Sequence, residues 1–230
     1  MYSKSVTDRE ARYLWNRYKL IPVIPIKIAY ALRKNRIAPI YHKEYDKKQM
    51  IYIHIPKTGG SSVGEALCGT DIIGHYPYYI YESLSPNKFK LYYKFCFVRD
   101  PVKRFVSAYY YLKYGGKGKS DFRLRKYLLS NINEFVLGGN LSKRIMQIAH
   151  FVPQVHFIFN KGVCKVDDIF KLEDYENSTR IIEKKTGTSI PIIHKNAAKD
   201  DLSSRITLSA DATRMLRHIY REDYSLLNYG

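Results

Sequence analysis

Cysteine is scarce in this chain. Its three thiols, Cys68, Cys96 and Cys164, are too few and too scattered for a disulfide framework or a CxxC metal site, and they read as reduced, mostly buried side chains. Acidic residues are also few: 21 Asp plus Glu stand against 39 Lys plus Arg, a formal charge of +18. Such an imbalance implies polyanionic partners, and by itself leaves nucleic acid, anionic lipid, acidic glycan and a small anionic cofactor open. No apolar run approaches the roughly 20 residues of a membrane span. The stretch MYSKSVTDREARYLWNRYKL carries charges where a signal peptide needs an apolar core, so the chain is expected to be soluble and cytoplasmic. Leu20 to Lys34 departs from this pattern: apolar, interrupted by Lys27 and flanked by bases, it suits peripheral contact with an anionic membrane surface as well as packing on a core.

What is present is an alternation of apolar runs and helical patterns. Residues 1–49 form a basic N-terminal segment, with a helix expected from Thr7 to Leu20 and prolines at 22, 25 and 39. Residues 50–230 form the main domain. Within it Met50 to Ile55, Lys94 to Val98 and Val155 to Phe159 read as buried parallel strands. Helices are expected over 62–67, 101–114, 122–130, 141–150, 175–185 and 209–220. The expected fold is therefore α/β, a parallel sheet flanked by helices on both faces, with ligands beyond the carboxyl ends of the strands.

The first such strand runs into HIPKTGGSS, His54 to Ser62. Pro56 ends the strand, Gly59 and Gly60 permit a turn in which backbone N–H groups converge, and Ser61 and Ser62 open a helix. A nest of this kind attracts phosphate, helped by the helix dipole and by Lys57 beside it. The order differs from GxxxxGK[ST], because Lys57 precedes the glycines, which weakens a reading as an ATP or GTP hydrolase.

A second constellation, FVRDPVKRFVSAY, begins on the second strand. Asp100 is a natural N-cap and Pro101 a natural first helical residue, so the helix start is fixed there. Arg99 offers a planar fork at the strand end, and Ser107, on one helical face with Asp100, Lys103 and Arg104, offers a hydroxyl two turns along. Two anion sites suit a nucleotide with a 5′ phosphate chain and a separate 3′ phosphate; ATP needs one.

Together these two motifs resemble the 5′-phosphosulfate and 3′-phosphate motifs of sulfotransferases that use 3′-phosphoadenylyl sulfate, and are most similar to the carbohydrate branch that includes heparan sulfate 2-O-sulfotransferase. GHYPY (74–78), HFVPQVHFIF (150–159) and YREDYSLLNY (220–229) extend the likeness over residues 50–230. The resemblance implies a P-loop-like sheet. It implies that Lys57, Thr58, Gly59, Gly60, Ser61 and Ser62 hold the 5′ phosphosulfate and that Arg99 and Ser107 hold the 3′ phosphate. It places a catalytic histidine in a GH loop, here His75.

Sulfuryl transfer is an in-line displacement in which Lys57 is suited to stabilise the leaving phosphate oxygen and no metal is required. Of seven histidines, His54, His150 and His156 lie in or near apolar runs and read as packing, whereas His42, His194 and His218 read as surface residues. His75, in the aromatic loop GHYPYYIY, is the expected general base, and Tyr76, Tyr78 and Tyr79 are open either to sugar stacking or to ordinary packing. Lys113, Lys117, Lys119, Arg123 and Arg125 make either a solvated face or a track for an acidic glycan, and GGKGKS (115–120) either a solvated linker or a mobile substrate loop. The partner expected is an oligosaccharide or polysaccharide, not nucleic acid, for which no recognition signature is present. The competing readings are a nucleotide-dependent kinase and a noncatalytic basic module that binds polyanions.

Overall fold

The computed structural model describes residues 40–71, 73–116, 119–128, 131–139, 141, 145–191 and 207–230. The expected helix at 7–20, the apolar stretch at 20–34, Lys117 and His194 lie outside them.

From residue 40 the chain forms α1 (Lys43–Lys48), β1 (Met50–Ile53), α2 (Gly60–Cys68), α3 (Tyr78–Leu84), α4 (Pro86–Leu91) and β2 (Tyr93–Val98). There follow α5 (Pro101–Lys113), α6 (Lys119–Leu124) and α7 (Ile132–Leu137), then α8 (Val155–Ile158), a two-residue hairpin of β3 (Phe159–Asn160) and β4 (Val163–Cys164), β5 (Asp168–Lys171) and α9 (Tyr175–Thr186). The last helices are α10 (Ala210–Ile219) and α11 (Arg221–Leu226).

These elements divide into two compact units that are interleaved along the chain. Among the described residues, a sheet unit takes 40–99 and 154–191, and a helical unit takes 100–153 and 207–230.

The sheet unit is a parallel three-stranded sheet of order β1-β2-β5 flanked by helices. All four residues of β1 are buried, as expected for a strand covered on both sides. Tyr52, Phe95 and Phe97 form its aromatic core, with Tyr52 stacked on Phe95 at 5.2 Å. Because β1 and β2 are parallel, with Ile53 opposite Cys96, the loop that begins at His54 and the residue Arg99 leave the sheet at the same edge.

The third expected strand is a correction. Val155 to Ile158 is a short helix, and only Phe159 and Asn160 pair, antiparallel, with Val163 and Cys164. An apolar run of five residues fits a buried helical turn as well as a strand. The third strand of the sheet is Asp168–Lys171, in which only Phe170 is buried, so no apolar run marks it.

In the helical unit Asp100 caps α5 as its sequence implies, its carboxylate accepting from the Lys103 N–H at 2.8 Å, with Pro101 in the first turn. The core gathers Phe105, Tyr109, Phe135, Phe151, Leu216 and Tyr220. Arg104 is fully buried within it and donates to the carbonyls of His150 and Val152, its guanidinium 5.7 Å from the Tyr220 ring. The Tyr220 hydroxyl donates to the Phe151 carbonyl between them at 2.7 Å. Of the helix expected at 141–150, the described part is a single 3-10 turn, Ile145–Gln147. Among the described residues no helix is long and apolar enough to cross a membrane.

Candidate functional site

The loop between β1 and α2 is built from backbone conformations that the sequence only partly announces. Gly59 caps α2 at φ 79°, and Lys57, two residues earlier, also adopts a left-handed conformation at φ 68°. For a lysine that conformation costs about 1 kcal/mol, and the strain sits at the residue expected to meet the leaving group. Thr58 between them is fully buried and donates its hydroxyl to the Ile55 carbonyl at 2.8 Å, so any role toward an anion falls to its backbone N–H. Ser62 is buried and Ser61 half-buried. The N-cap of α2 supplies no side-chain hydrogen bond, so the first-turn amides and the dipole of this nine-residue helix open on the loop.

Gly60 has a different reason to be glycine. A Cβ placed on it would lie 1.9 Å from His54 Nε2 and 2.0 Å from His54 Cδ2. The imidazole of His54 fills the space that any larger residue would need.

His54 is buried and continues the aromatic stack of β1, 5.7 Å from the Tyr52 ring. Its Nδ1 lies 3.3 Å from the Ile73 carbonyl. Its own carbonyl lies 3.3 Å from His75 Nδ1, and the two imidazole centroids are 4.4 Å apart. A carbonyl oxygen only accepts, so each contact requires a proton on Nδ1. For His75, half-buried at the surface of this loop, that tautomer leaves the Nε2 lone pair as the basic site. His54 therefore touches both the start of α2 and the expected base, and the sequence reading of it as packing missed this second contact.

Arg99 follows β2 and is half-buried. Its peptide is gripped by the side chain of Gln154, which is fully buried: Oε1 accepts from the Arg99 N–H at 2.9 Å and Nε2 donates to the Arg99 carbonyl at 2.8 Å. A glutamine here takes the place of a further ladder partner, and nothing local in HFVPQ marks it. The sheet unit thus brings together Lys57, Thr58, Gly59, Gly60, Ser61, Ser62 and His75, with Arg99 at the same sheet edge. Ser107 belongs to the helical unit, buried on α5 beside the buried Arg104, while Lys103 of the same turn is exposed.

The remaining histidines differ in part from expectation. His42 is buried, not a surface residue, and desolvation lowers its pKa; His156 is exposed, not packed. His150 stacks on Tyr111 at 5.2 Å. Of the tyrosines, Tyr78 is buried against Phe89 and Tyr79 and serves packing; Tyr76, half-buried, meets Tyr81 edge-on at 6.4 Å. Lys113 covers the rings of Tyr109 and Tyr110, and Arg123 and Arg125 are exposed.

Residues 45–230 match the family model described as the sulfotransferase family, a span that contains both motifs. No curated protein and no solved structure matches the chain.

Proposed function

The chain belongs to the sulfotransferase family, and from that premise we propose that it moves a sulfuryl group from 3′-phosphoadenylyl sulfate to a hydroxyl of a carbohydrate acceptor. The observation that carries this reading is the convergence at His54: the glycine that opens α2 and the histidine expected to act as base both abut one buried ring.

In this reading the amides of residues 58–62 and the positive end of α2 bind the 5′ phosphosulfate, as a helix N-terminus binds phosphate. Arg99, held at the sheet edge by Gln154, takes the 3′ phosphate. Ser107 is assigned to that phosphate on its motif. The acceptor hydroxyl loses its proton to His75 Nε2 as its oxygen bonds to sulfur. On the opposite side the bond from sulfur to the bridging oxygen breaks, and its electron pair stays on the 5′ phosphate. The Lys57 ammonium offsets the charge that develops there, and gains effect as the bond lengthens. The excess of lysine and arginine over acidic residues suits an acidic oligosaccharide or polysaccharide as the acceptor.

The test is transfer of label from 3′-phosphoadenylyl sulfate to a panel of glycans, with the product located by mass spectrometry. His75→Ala should lower turnover roughly 10²–10⁴-fold and leave binding of 3′-phosphoadenosine 5′-phosphate intact. Lys57→Ala should lower turnover roughly 10²–10³-fold and weaken nucleotide binding as well. Absence of any transfer by the wild-type protein across the panel, or a His75 variant that loses nucleotide binding, would refute the assignment.

A further inference from the structure

We propose that His54 is a positioning residue for His75, setting both the distance of the base from the phosphate loop and its tautomer; the inference rests on the sulfuryl-transfer reading. His54 is tied to the loop of His75 twice, and in opposite senses. Its side chain reaches the carbonyl of Ile73, and its carbonyl receives the side chain of His75, two residues further on. The loop is thereby clamped on either side of Gly74, so His75 cannot rotate without breaking a contact to residue 54.

The ring of His54 is itself immobilised. Tyr52 stacks on it at an interplanar angle of 21°, Gly60 leaves no space for a Cβ against it, and His75 lies 4.4 Å from its centroid. Moving the ring would push on the first residue of α2 and on the base together. An apolar side chain would fill the same volume without the cost of burying a polar ring. The imidazole differs from such a filler in its polar nitrogens, of which Nδ1 aims its proton at the Ile73 carbonyl. A base misplaced by about 1 Å loses on the order of 10²-fold in rate, so a rigid link between the phosphate loop and His75 has direct catalytic value.

Two substitutions separate this role from packing. His54→Asn retains a donor where Nδ1 stands but loses the ring; His54→Phe retains the ring and loses the donor. Each variant is assayed for kcat, for KM of the sulfuryl donor, for affinity toward 3′-phosphoadenosine 5′-phosphate, and for the His75 tautomer by NMR of ¹⁵N-histidine-labelled protein. His54→Phe should lower kcat roughly 10–100-fold, with nucleotide affinity within about twofold of wild type, and the His75 Nδ1–H signature, whose acceptor is the residue-54 carbonyl, should shift or weaken as the loop released from its tie at Ile73 moves. His54→Asn should keep that signature and recover most of the rate. Wild-type kcat and tautomer in His54→Phe, or a parallel fall of kcat and nucleotide affinity in both variants, would overturn the proposal. If His54→Phe does not fold, His54→Gln, whose amide projects beyond the Nδ1 position, takes its place with the same expectation. If the wild-type protein transfers no sulfuryl group, the parent reading fails, while the tautomer comparison still decides whether His54 positions His75.

Discussion

Gly60→Ala is the substitution that most directly probes the packing of His54. The new methyl carbon would lie 1.9 Å from His54 Nε2, and the ring would have to retreat by about 1.5 Å to reach ordinary contact. The retreat is opposed by Tyr52 and by His75, so the clash is of the overpacked kind that costs about 1–3 kcal/mol. Acting the other way, alanine restricts the unfolded chain, which is worth about 0.4–1 kcal/mol where the backbone conformation allows it, and Gly60 has no positive φ. The net loss should be about 1–2 kcal/mol, a fall in Tm of roughly 2–8 °C for a chain of this size. Repeating the change in a His54→Ala background removes the obstacle and leaves only the favourable contribution. Gly60→Ala should then be neutral or slightly stabilising, giving a coupling of about 2 kcal/mol between positions 54 and 60. Thermal melts of the four proteins by circular dichroism measure it. An equal shift of Tm in the two backgrounds would refute the claim that the imidazole is what demands glycine at 60.

Three further outcomes are expected. Lys57→Gly relieves about 1 kcal/mol of left-handed strain while the added freedom of the unfolded chain offsets about 0.4–1 kcal/mol of it, so stability in denaturant melts should match or slightly exceed wild type while turnover is lost; a variant destabilised by more than about 1 kcal/mol would show that Lys57 is not strained. Gln154→Leu removes both hydrogen bonds to the Arg99 peptide and should cost roughly 2–4 kcal/mol in urea unfolding, whereas a change below about 0.5 kcal/mol would mean that the strand end holds without it. Burial acts to raise the Asp168 pKa, but hydrogen bonds from Lys185 and Tyr93 outweigh it and hold the carboxyl below its usual value. A depressed pKa stabilises the fold above the unfolded value of about 3.9 and ceases to do so as pH falls through the folded value. Asp168→Asn should therefore be less stable than wild type at pH 7 and equal to it below the folded value; a gap that persists in acid would exclude this linkage.

The parts of the fold that were legible in the sequence are those with local causes. β1 is an isoleucine-rich run stopped by Pro56, and α5 starts where Asp100 and Pro101 together leave no other choice. The site loop was legible for the same reason, since its lysine, glycines and hydroxyls are contiguous. What escaped depends on contacts between distant residues. Gln154 reaches Arg99 across 55 positions, and no feature of VPQVH distinguishes a clamp from an ordinary polar residue. His54 reads as packing because the residues that give it a second task, at 60, 73 and 75, meet it only through the turn of α2 and the loop beyond. Asp168–Lys171 was passed over because a strand with one buried side chain carries no periodic signal.

The closing of the helical unit has a consequence for the order in which the protein is made. Tyr220 fastens the Phe151 carbonyl from 69 residues downstream and supplies the ring beneath Arg104. A nascent chain halted before Ser209 has already emerged with Phe105, Phe135 and Phe151 but lacks Leu216 and Tyr220, the side chains that share their core. Over the 69 positions from Phe151 to Tyr220 that aromatic cluster is left without its cover, and the guanidinium of Arg104 without its aromatic neighbour. The helical unit thus completes its core only once Leu216 and Tyr220 have been added.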